Sequence, residues 1–179
     1  MQKLAETLRA EGKKPYVIPG GASNKIGALG YVSCAEEVLR QLFETGLRID
    51  HMVVPSGSAG THAGIIAGMI GNNAGIPVTG IGVNRKKEAQ QAAVLKLAQE
   101  TLDYIGTGVT MPAEAVVAFD DYVGPGYSLP TDGMVEAVKL LAEQVHMEVP
   151  ELTHSREDAE SKSRKERLYE ANRQCARFF

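Results

Sequence analysis

The chain has 179 residues, of which 44% are hydrophobic and 23% are charged, and its formal net charge is -3 at pH 7. This size and composition are typical of one globular domain with a packed core, and they argue against disorder over most of the chain. The mild acidity gives no electrostatic reason to expect a nucleic acid or an anionic membrane surface as a partner. We therefore predict neither.

The two cysteines, Cys34 and Cys175, have no CxxC motif and no histidine spacing beside them. This pattern predicts neither a disulfide framework nor a zinc site, so we expect no metal. The opening "MQKLAETLRAEGKK" is amphipathic and lacks the apolar centre of a signal peptide. No segment approaches the ~20 apolar residues of a membrane span. We therefore expect a cytoplasmic protein.

Strand and helix patterns alternate along the chain. Apolar residues at helical spacing, Leu4 and Leu8, precede a predicted buried strand, "PYVIP", and a helix, "ALGYVSCAEEVLRQLFETG". Next come a strand "HMVVPS", a helix "THAGIIAGMIG", a strand "IPVTGIGV" and a helix "KKEAQQAAVLKLAQETLDYIG". The alternation ends with a strand in "AEAVVAFDDY" and a helix in "TDGMVEAVKLLAEQ", which Thr131 or Asp132 can cap.

This alternation predicts an α/β fold. Over residues 15–145 we expect a three-layer sandwich with a mainly parallel sheet and helices on both of its faces. Its main pairing should be parallel rather than built from antiparallel hairpins. The predicted domain spans residues 1–147.

From about Glu148 the composition changes to dense mixed charge with few apolar residues. One interpretation of residues 148–179 is a solvated helical or disordered tail; the other is a partner-binding helix. We expect the tail to pack poorly and to be the least ordered part, since it buries too little apolar surface to offset its ordering entropy. The residues that would serve a partner are Leu168, Tyr169, Phe178 and Phe179.

The stretch "VVPSGSAGTHAG" passes from a strand through small residues into a helix. Consecutive small residues let backbone N–H groups approach a ligand, and a helix N-terminus adds its dipole and free donors, so the turn suits a phosphate. The spacing matches neither GxxxxGK[ST] nor GxGxxG. The alternative is a tight turn whose small residues serve packing. The candidate phosphate-binding residues are Gly57, Ser58, Ala59, Gly60 and Thr61.

Three segments resemble the fold-type-II pyridoxal-phosphate enzymes, in the group of D-cysteine desulfhydrase and 1-aminocyclopropane-1-carboxylate deaminase. "VVPSGSAGTHAG" resembles their phosphate-binding loop, "PYVIPGGASNKIGALGYVSCAEE" the segment before it, and "DDYVGPGYSLPTDGMVEAVKLLA" a later active-site loop and helix. The matches run in family order from about Lys14 to Ala142. The resemblance implies a tryptophan-synthase-beta-like fold and pyridoxal phosphate as the cofactor, bound by residues 57–61.

Other parts of the family pattern have no counterpart here. The family holds its cofactor as a Schiff base on an N-terminal lysine that precedes a Ser-Asn-His type motif, and it ends in a further active-site segment. We therefore expect the chain to be truncated at both ends relative to the family. The cofactor acts as an electron sink only when it is linked to an amine, so an active enzyme and an inactive chain are both alternatives for these residues. Lys25 is interpreted as a surface lysine and receives no catalytic role.

By the resemblance, Tyr127 in "GPGYSLP" takes the place of an active-site tyrosine, where a phenol can hydrogen-bond or exchange a proton. The alternative is a loop tyrosine bonded to backbone. Ser23 and Asn24 could contact a substrate carboxylate or bond only their own backbone. We expect His62 to pack or cap rather than to bind a metal or shuttle protons.

Two classes of function follow. The first is a pyridoxal-phosphate-dependent lyase or deaminase of small amino acids, most like D-cysteine desulfhydrase, which converts D-cysteine to pyruvate, ammonia and sulfide. The second is a non-catalytic phosphate-ligand-binding domain or a decayed fragment. The expected partner is a small amino-acid substrate, and a homodimer is left as an option.

Overall fold

A computed structural model describes residues 1–144. The helices are α1 (Gln2–Ala10), α2 (Lys25–Thr45), α3 (Gly60–Gly71), α4 (Lys87–Ile105) and α5 (Asp132–Gln144), the strands are β1 (Met52–Ser56), β2 (Val78–Gly82) and β3 (Val117–Phe119), and short 3₁₀ turns cover Gly20–Ala22 and Ala113–Ala115. The chain forms two compact units, Met1–Val123 and a second that begins at Gly124. The predicted boundary after residue 147 and the predictions for the tail lie outside the described residues.

The three strands form one parallel sheet in the order β1-β2-β3. Val54 of β1 pairs with Gly80 of β2, which pairs with Ala118 of β3. Two strand-helix-strand units in succession give this order, because a parallel neighbour needs a crossover and a helix supplies it. The predicted α/β class with a parallel sheet is confirmed.

Helix α3 lies at the centre of the first unit. It contacts the sheet on one side and α2 on the other, while α4 packs beside it. Glycines permit the close approach of α2, since a Cβ on Gly68 would lie 2.6 Å from the Cβ of Ala35. Nearly every residue of α3 is therefore buried, which explains why its sequence is small and apolar on all sides.

The two faces of the sheet differ. Helix α3 connects β1 to β2, and α4 connects β2 to β3 in the same direction across the sheet. Because both crossovers have the same hand, the two helices lie on the same face, where Val54 and Ser56 are buried. On the opposite face Val53 is 63% exposed and Phe119 is 40% exposed. Within Met1–Val123, helices α3 and α4 cover the first of these faces.

Two predicted strands need correction. The segment "PYVIP" forms no strand, and Tyr16 and Ile18 are 75% and 59% exposed. Prolines at both of its ends cannot donate hydrogen bonds to a neighbouring strand. The apolar composition alone therefore gave a wrong prediction of a strand. The strand expected in "AEAVVAFDDY" is only Val117–Phe119, because a 3₁₀ turn takes up Ala113–Ala115.

Helix ends match the sequence well. Asn24 caps α2 by accepting hydrogen bonds from the N–H groups of Ile26 and Gly27 at 3.0 and 2.8 Å. Thr131 caps α5 in the same way, with its Oγ1 accepting from the N–H of Met134 at 3.2 Å. Helix α2 ends at Gly46 in the left-handed conformation. None of the helices within residues 1–144 is both long and apolar enough to cross a membrane.

Candidate functional site

The loop of residues 57–61 connects the carboxyl end of β1 to the first turn of α3. Ala59 precedes the helix with φ +81° and ψ -22°, a left-handed conformation that is rare for a residue with a side chain. A left-handed residue at such a turn helps to aim successive N–H groups into one concavity. Backbone strain of this kind persists where the surrounding structure enforces it, which is common at binding sites.

The loop carries N–H groups that lack acceptors. Within residues 1–144, no hydrogen bond is made by the N–H groups at the loop and at the start of α3, apart from that of Gly60. A helix start always leaves its first N–H groups without intrahelical partners, and the positive end of the helix dipole lies there. The free N–H groups are those of Gly57, Ser58, Ala59, Thr61 and His62.

Two hydroxyls of the same loop are also available. Ser58 is exposed and Thr61 is half-buried, and neither side chain hydrogen-bonds to the described part of the chain. Each hydroxyl can donate one proton to an anion. The loop therefore offers backbone and side-chain donors together, a combination that suits a phosphate.

A second loop forms one wall of this site. Ser23 Oγ accepts the N–H of Gly60 at 3.1 Å, so the one loop amide with a partner binds a residue 37 positions earlier. A Cβ on Gly60 would lie 2.9 Å from that Oγ, and a Cβ on Gly21, whose φ is +66°, would overlap the Ser58 side chain. Two glycine-rich loops therefore interlock, and their glycines are needed for the contact.

Buried polar groups flank the 57–61 loop in sequence. Ser56 and His62 are 1% and 0% exposed, and Ser56 Oγ lies 3.1 Å from His62 Nδ1. Gln90 Nε2 of α4 donates to the same Ser56 Oγ at 2.8 Å. Burial lowers the pKa of His62 from 6.5 to about 4, and the nearby Val78 carbonyl opposes this to a smaller extent. The histidine is therefore neutral at pH 7.

His62 is buried, in line with the expectation that it packs or caps, whereas the sequence patterns did not single out Gln90. Gln90 stands one helical turn before Val94, on the stripe of α4 that faces the core. A polar residue on such a stripe is the signal that could have identified it, because a buried amide requires partners.

The other candidates fall in separate places. Asn24 is used as the cap of α2, which supports the backbone alternative over contact with a substrate. The Nζ of Lys25 lies 5.0 Å from the centre of the Tyr104 ring, consistent with a surface lysine. Tyr127, in the second unit, is 64% exposed, and its catalytic role stays a prediction. Residues 1–144 contain no group of three acidic, histidine or cysteine side chains arranged to hold a metal.

Comparison with known proteins gives relatives of this chain. Residues 1–151 match the family model described as pyridoxal-phosphate dependent enzyme. A 1-aminocyclopropane-1-carboxylate deaminase of Bradyrhizobium diazoefficiens is 38% identical over 142 residues, and a D-cysteine desulfhydrase of Salmonella paratyphi C is 39% identical over 142 residues. Both alignments cover 79% of this chain and 42% of the relative. The chain thus spans less than half the length of these curated relatives.

A solved structure agrees with these matches. The crystal structure of an ACC deaminase homologue superimposes with a TM-score of 0.71 and 31% sequence identity, covering 82% of this chain and 43% of the other. The suspected resemblance and the predicted cofactor of the family, pyridoxal phosphate, are confirmed by these matches. The chain belongs to the family of pyridoxal-phosphate dependent enzymes.

Proposed function

We propose that this chain is the phosphate-binding part of a pyridoxal-phosphate-dependent lyase or deaminase of small amino acids, most like D-cysteine desulfhydrase. The observation that carries the proposal is the 57–61 loop, where free N–H groups and two hydroxyls surround a helix start. Relatives named for D-cysteine desulfhydrase and for 1-aminocyclopropane-1-carboxylate deaminase are equally similar, so identity alone does not favour one substrate.

The loop residues would hold the cofactor by its phosphate. The N–H groups of Gly57, Ser58 and Ala59 would donate from the loop, and those of Thr61 and His62 from the first turn of α3. The hydroxyls of Ser58 and Thr61 would add two further donors. The N–H of Gly60 would instead keep the wall formed by Ser23 in place. Small side chains let the phosphate approach the backbone.

The bound cofactor supplies an electron sink for the substrate's alpha carbon. In the proposed reaction, D-cysteine and water give pyruvate, ammonia and sulfide, and a proton must leave the alpha carbon. Tyr127 is proposed as the side chain that hydrogen-bonds the substrate or exchanges a proton, since its exposed phenol is open to solvent. A homodimer is a further proposal, which sedimentation of the purified chain would test.

The second candidate function is a domain that binds a phosphate ligand without catalysis. The placement of Lys25 favours it, because this lysine, at the start of α2, lies against the Tyr104 ring and is exposed. Catalysis needs an amine linked to the cofactor, and phosphate binding does not supply one.

Titration with pyridoxal phosphate tests both candidates. The purified chain should give a saturable change in cofactor absorbance, and a Gly60→Leu variant that is still folded should lose it. Borohydride treatment then separates the two functions. Binding without covalent trapping supports the non-catalytic candidate, whereas trapping at one defined lysine supports an enzyme. Absence of binding by the folded parent chain contradicts the proposal.

A further inference from the structure

One buried hydroxyl joins three elements at the 57–61 loop. Ser56 is the last residue of β1, His62 lies in the first turn of α3, and Gln90 lies in the first turn of α4. All three are at most 1% exposed, and both contacts of the cluster meet at Ser56 Oγ. The two residues that border the loop, Ser56 before it and His62 after Thr61, are therefore held to each other and to α4.

The central strand makes room for this cluster. Gly80 of β2 faces it, and a Cβ there would overlap the His62 ring and lie 2.9 Å from the Cβ of Ser56. A glycine weakens a strand interior, so its presence at the middle of β2 marks a close approach. The histidine ring occupies the space that a side chain at position 80 would fill.

The cluster is not explained by folding stability alone. Gln90 Oε1 is buried without a hydrogen-bond partner within residues 1–144, and His62 Nε2 makes no hydrogen bond of standard geometry there, although the Val78 carbonyl lies close enough to His62 to affect its pKa. Buried polar atoms without partners reduce the free energy of unfolding, whereas apolar side chains of similar shape would not. Polar groups that carry such a cost fit a role in holding the loop better than a role in packing alone.

A serine beside a histidine also resembles a nucleophile with its base. Here both side chains are shielded, with Ser56 1% and His62 0% exposed, so a substrate has no access to either. The pair can instead hold the backbone at the two ends of the 57–61 loop in place. Ser56 Oγ accepts from Gln90 and lies against a neutral imidazole, which ties the exit of β1 to the entry of α3.

We propose that Ser56, His62 and Gln90 are positioning residues that hold the 57–61 loop in its phosphate-binding conformation, an inference that rests on the proposed function of that loop. None of them needs its side chain to touch the ligand. They act through the direction of the loop N–H groups, since a small displacement of donors weakens every hydrogen bond to one phosphate.

The test compares substitutions at position 62 in the full chain. His62→Leu removes the contact to Ser56, whereas His62→Asn keeps a hydrogen-bonding atom near the place of Nδ1. Thr101→Val is the matched control, because it removes another buried hydroxyl of α4, about 16 Å along the helix from Gln90. The measurements are the dissociation constant for pyridoxal phosphate and the hydrogen exchange of the amides of residues 57–60.

His62→Leu should weaken binding about tenfold and speed up exchange at residues 57–60, as loss of a supporting residue does at other sites. His62→Asn should recover most of the affinity, and Thr101→Val should change neither quantity. If His62→Leu does not fold, Ser56→Ala provides the same comparison. Folded variants that bind and exchange like the parent would overturn the inference. If the parent binds no pyridoxal phosphate, the proposed function fails. The positioning role is then decided by hydrogen exchange alone: faster exchange at residues 57–60 in His62→Leu supports it, and unchanged exchange contradicts it.

Discussion

Two loops were singled out by the sequence, and their surroundings in the structure are opposite. The 57–61 loop lies between a buried strand end and a helix buried on all sides, and Gly60 is tied to Ser23. The loop that contains Tyr127 exposes 64% of that side chain, and the neighbouring Leu129 is 56% exposed. A site made of backbone donors can be complete within one strand-helix unit. A site made of one side chain depends on what else surrounds it.

The largest expected effect is the loss of unfolding free energy in acid, caused by buried His62 beside the 57–61 loop. The pKa of His62 is lowered by burial from 6.5 to about 4, so between these pH values the unfolded chain binds a proton that the folded chain does not. The free energy of unfolding is therefore unaffected above pH 6.5, falls as the pH drops, and has lost up to about 3 kcal/mol by pH 4. Urea unfolding across this range measures the loss.

The His62→Asn variant should remove most of this acid sensitivity, because it has no titrating ring. Thr101→Val, which changes another buried polar side chain but no titrating group, is the matched control and should keep the slope of the parent. Equal slopes for His62→Asn and the parent would show that the ring is not held neutral in the folded chain.

A methyl group added next to the buried 57–61 loop should reduce the free energy of unfolding more than a methyl group added to the exposed loop of Tyr127. Gly80→Ala places a Cβ against the His62 ring and the Ser56 side chain on the central strand, and should cost about 2 kcal/mol of unfolding free energy. Gly126→Ala, beside Tyr127, brings its Cβ to 3.3 Å from the flexible Leu129 side chain and should cost well under 1 kcal/mol. Denaturant midpoints of the two variants decide the matter, and similar losses would contradict the difference in packing.

Ser23→Ala should act on ligand binding more than on folding. It removes the acceptor for the Gly60 N–H, a hydrogen bond worth about 1 kcal/mol, so affinity for pyridoxal phosphate should fall roughly fivefold. Ser33→Ala, at an exposed position of α2, is the control and should bind like the parent. Unchanged affinity in Ser23→Ala would show that Ser23 does not contribute to ligand binding.

Tyr127→Phe should have the smallest effect on binding and stability. The phenol is exposed, and its oxygen makes no hydrogen bond with the described residues. We expect the dissociation constant for pyridoxal phosphate and the melting temperature to equal those of the parent. A clear loss of either would mean that this side chain is already part of the binding site.

Sequence reasoning succeeded where one local pattern determines the structure. The spacing of apolar residues and the run of small residues correctly predicted β1, the 57–61 loop and α3. Gly46 correctly indicated the end of α2. It failed at "PYVIP", where apolar composition was visible but the absence of a neighbouring strand was not. Strand pairing is a property of distant segments, and five residues do not contain it.

The candidate site was predicted only in its local part. The loop residues are contiguous, so their role could be inferred from spacing and from the resemblance. Ser23 and Gln90 reach the loop from 37 and 34 positions away, measured to Gly60 and to Ser56, and only folding brings them there. Polar residues at such distances carry no local signal beyond a break in an apolar stripe.

The central claim is that the free N–H groups of the 57–61 loop and of His62 bind a phosphate. The most direct test is to follow the backbone amide resonances of the full chain by NMR during titration with pyridoxal phosphate and, separately, with inorganic phosphate. Both ligands should shift the amides of Gly57, Ser58, Ala59, Thr61 and His62, with the hydrogen-bonded amide of Gly60 affected less. Saturable shifts elsewhere, with these five amides unchanged, would contradict it.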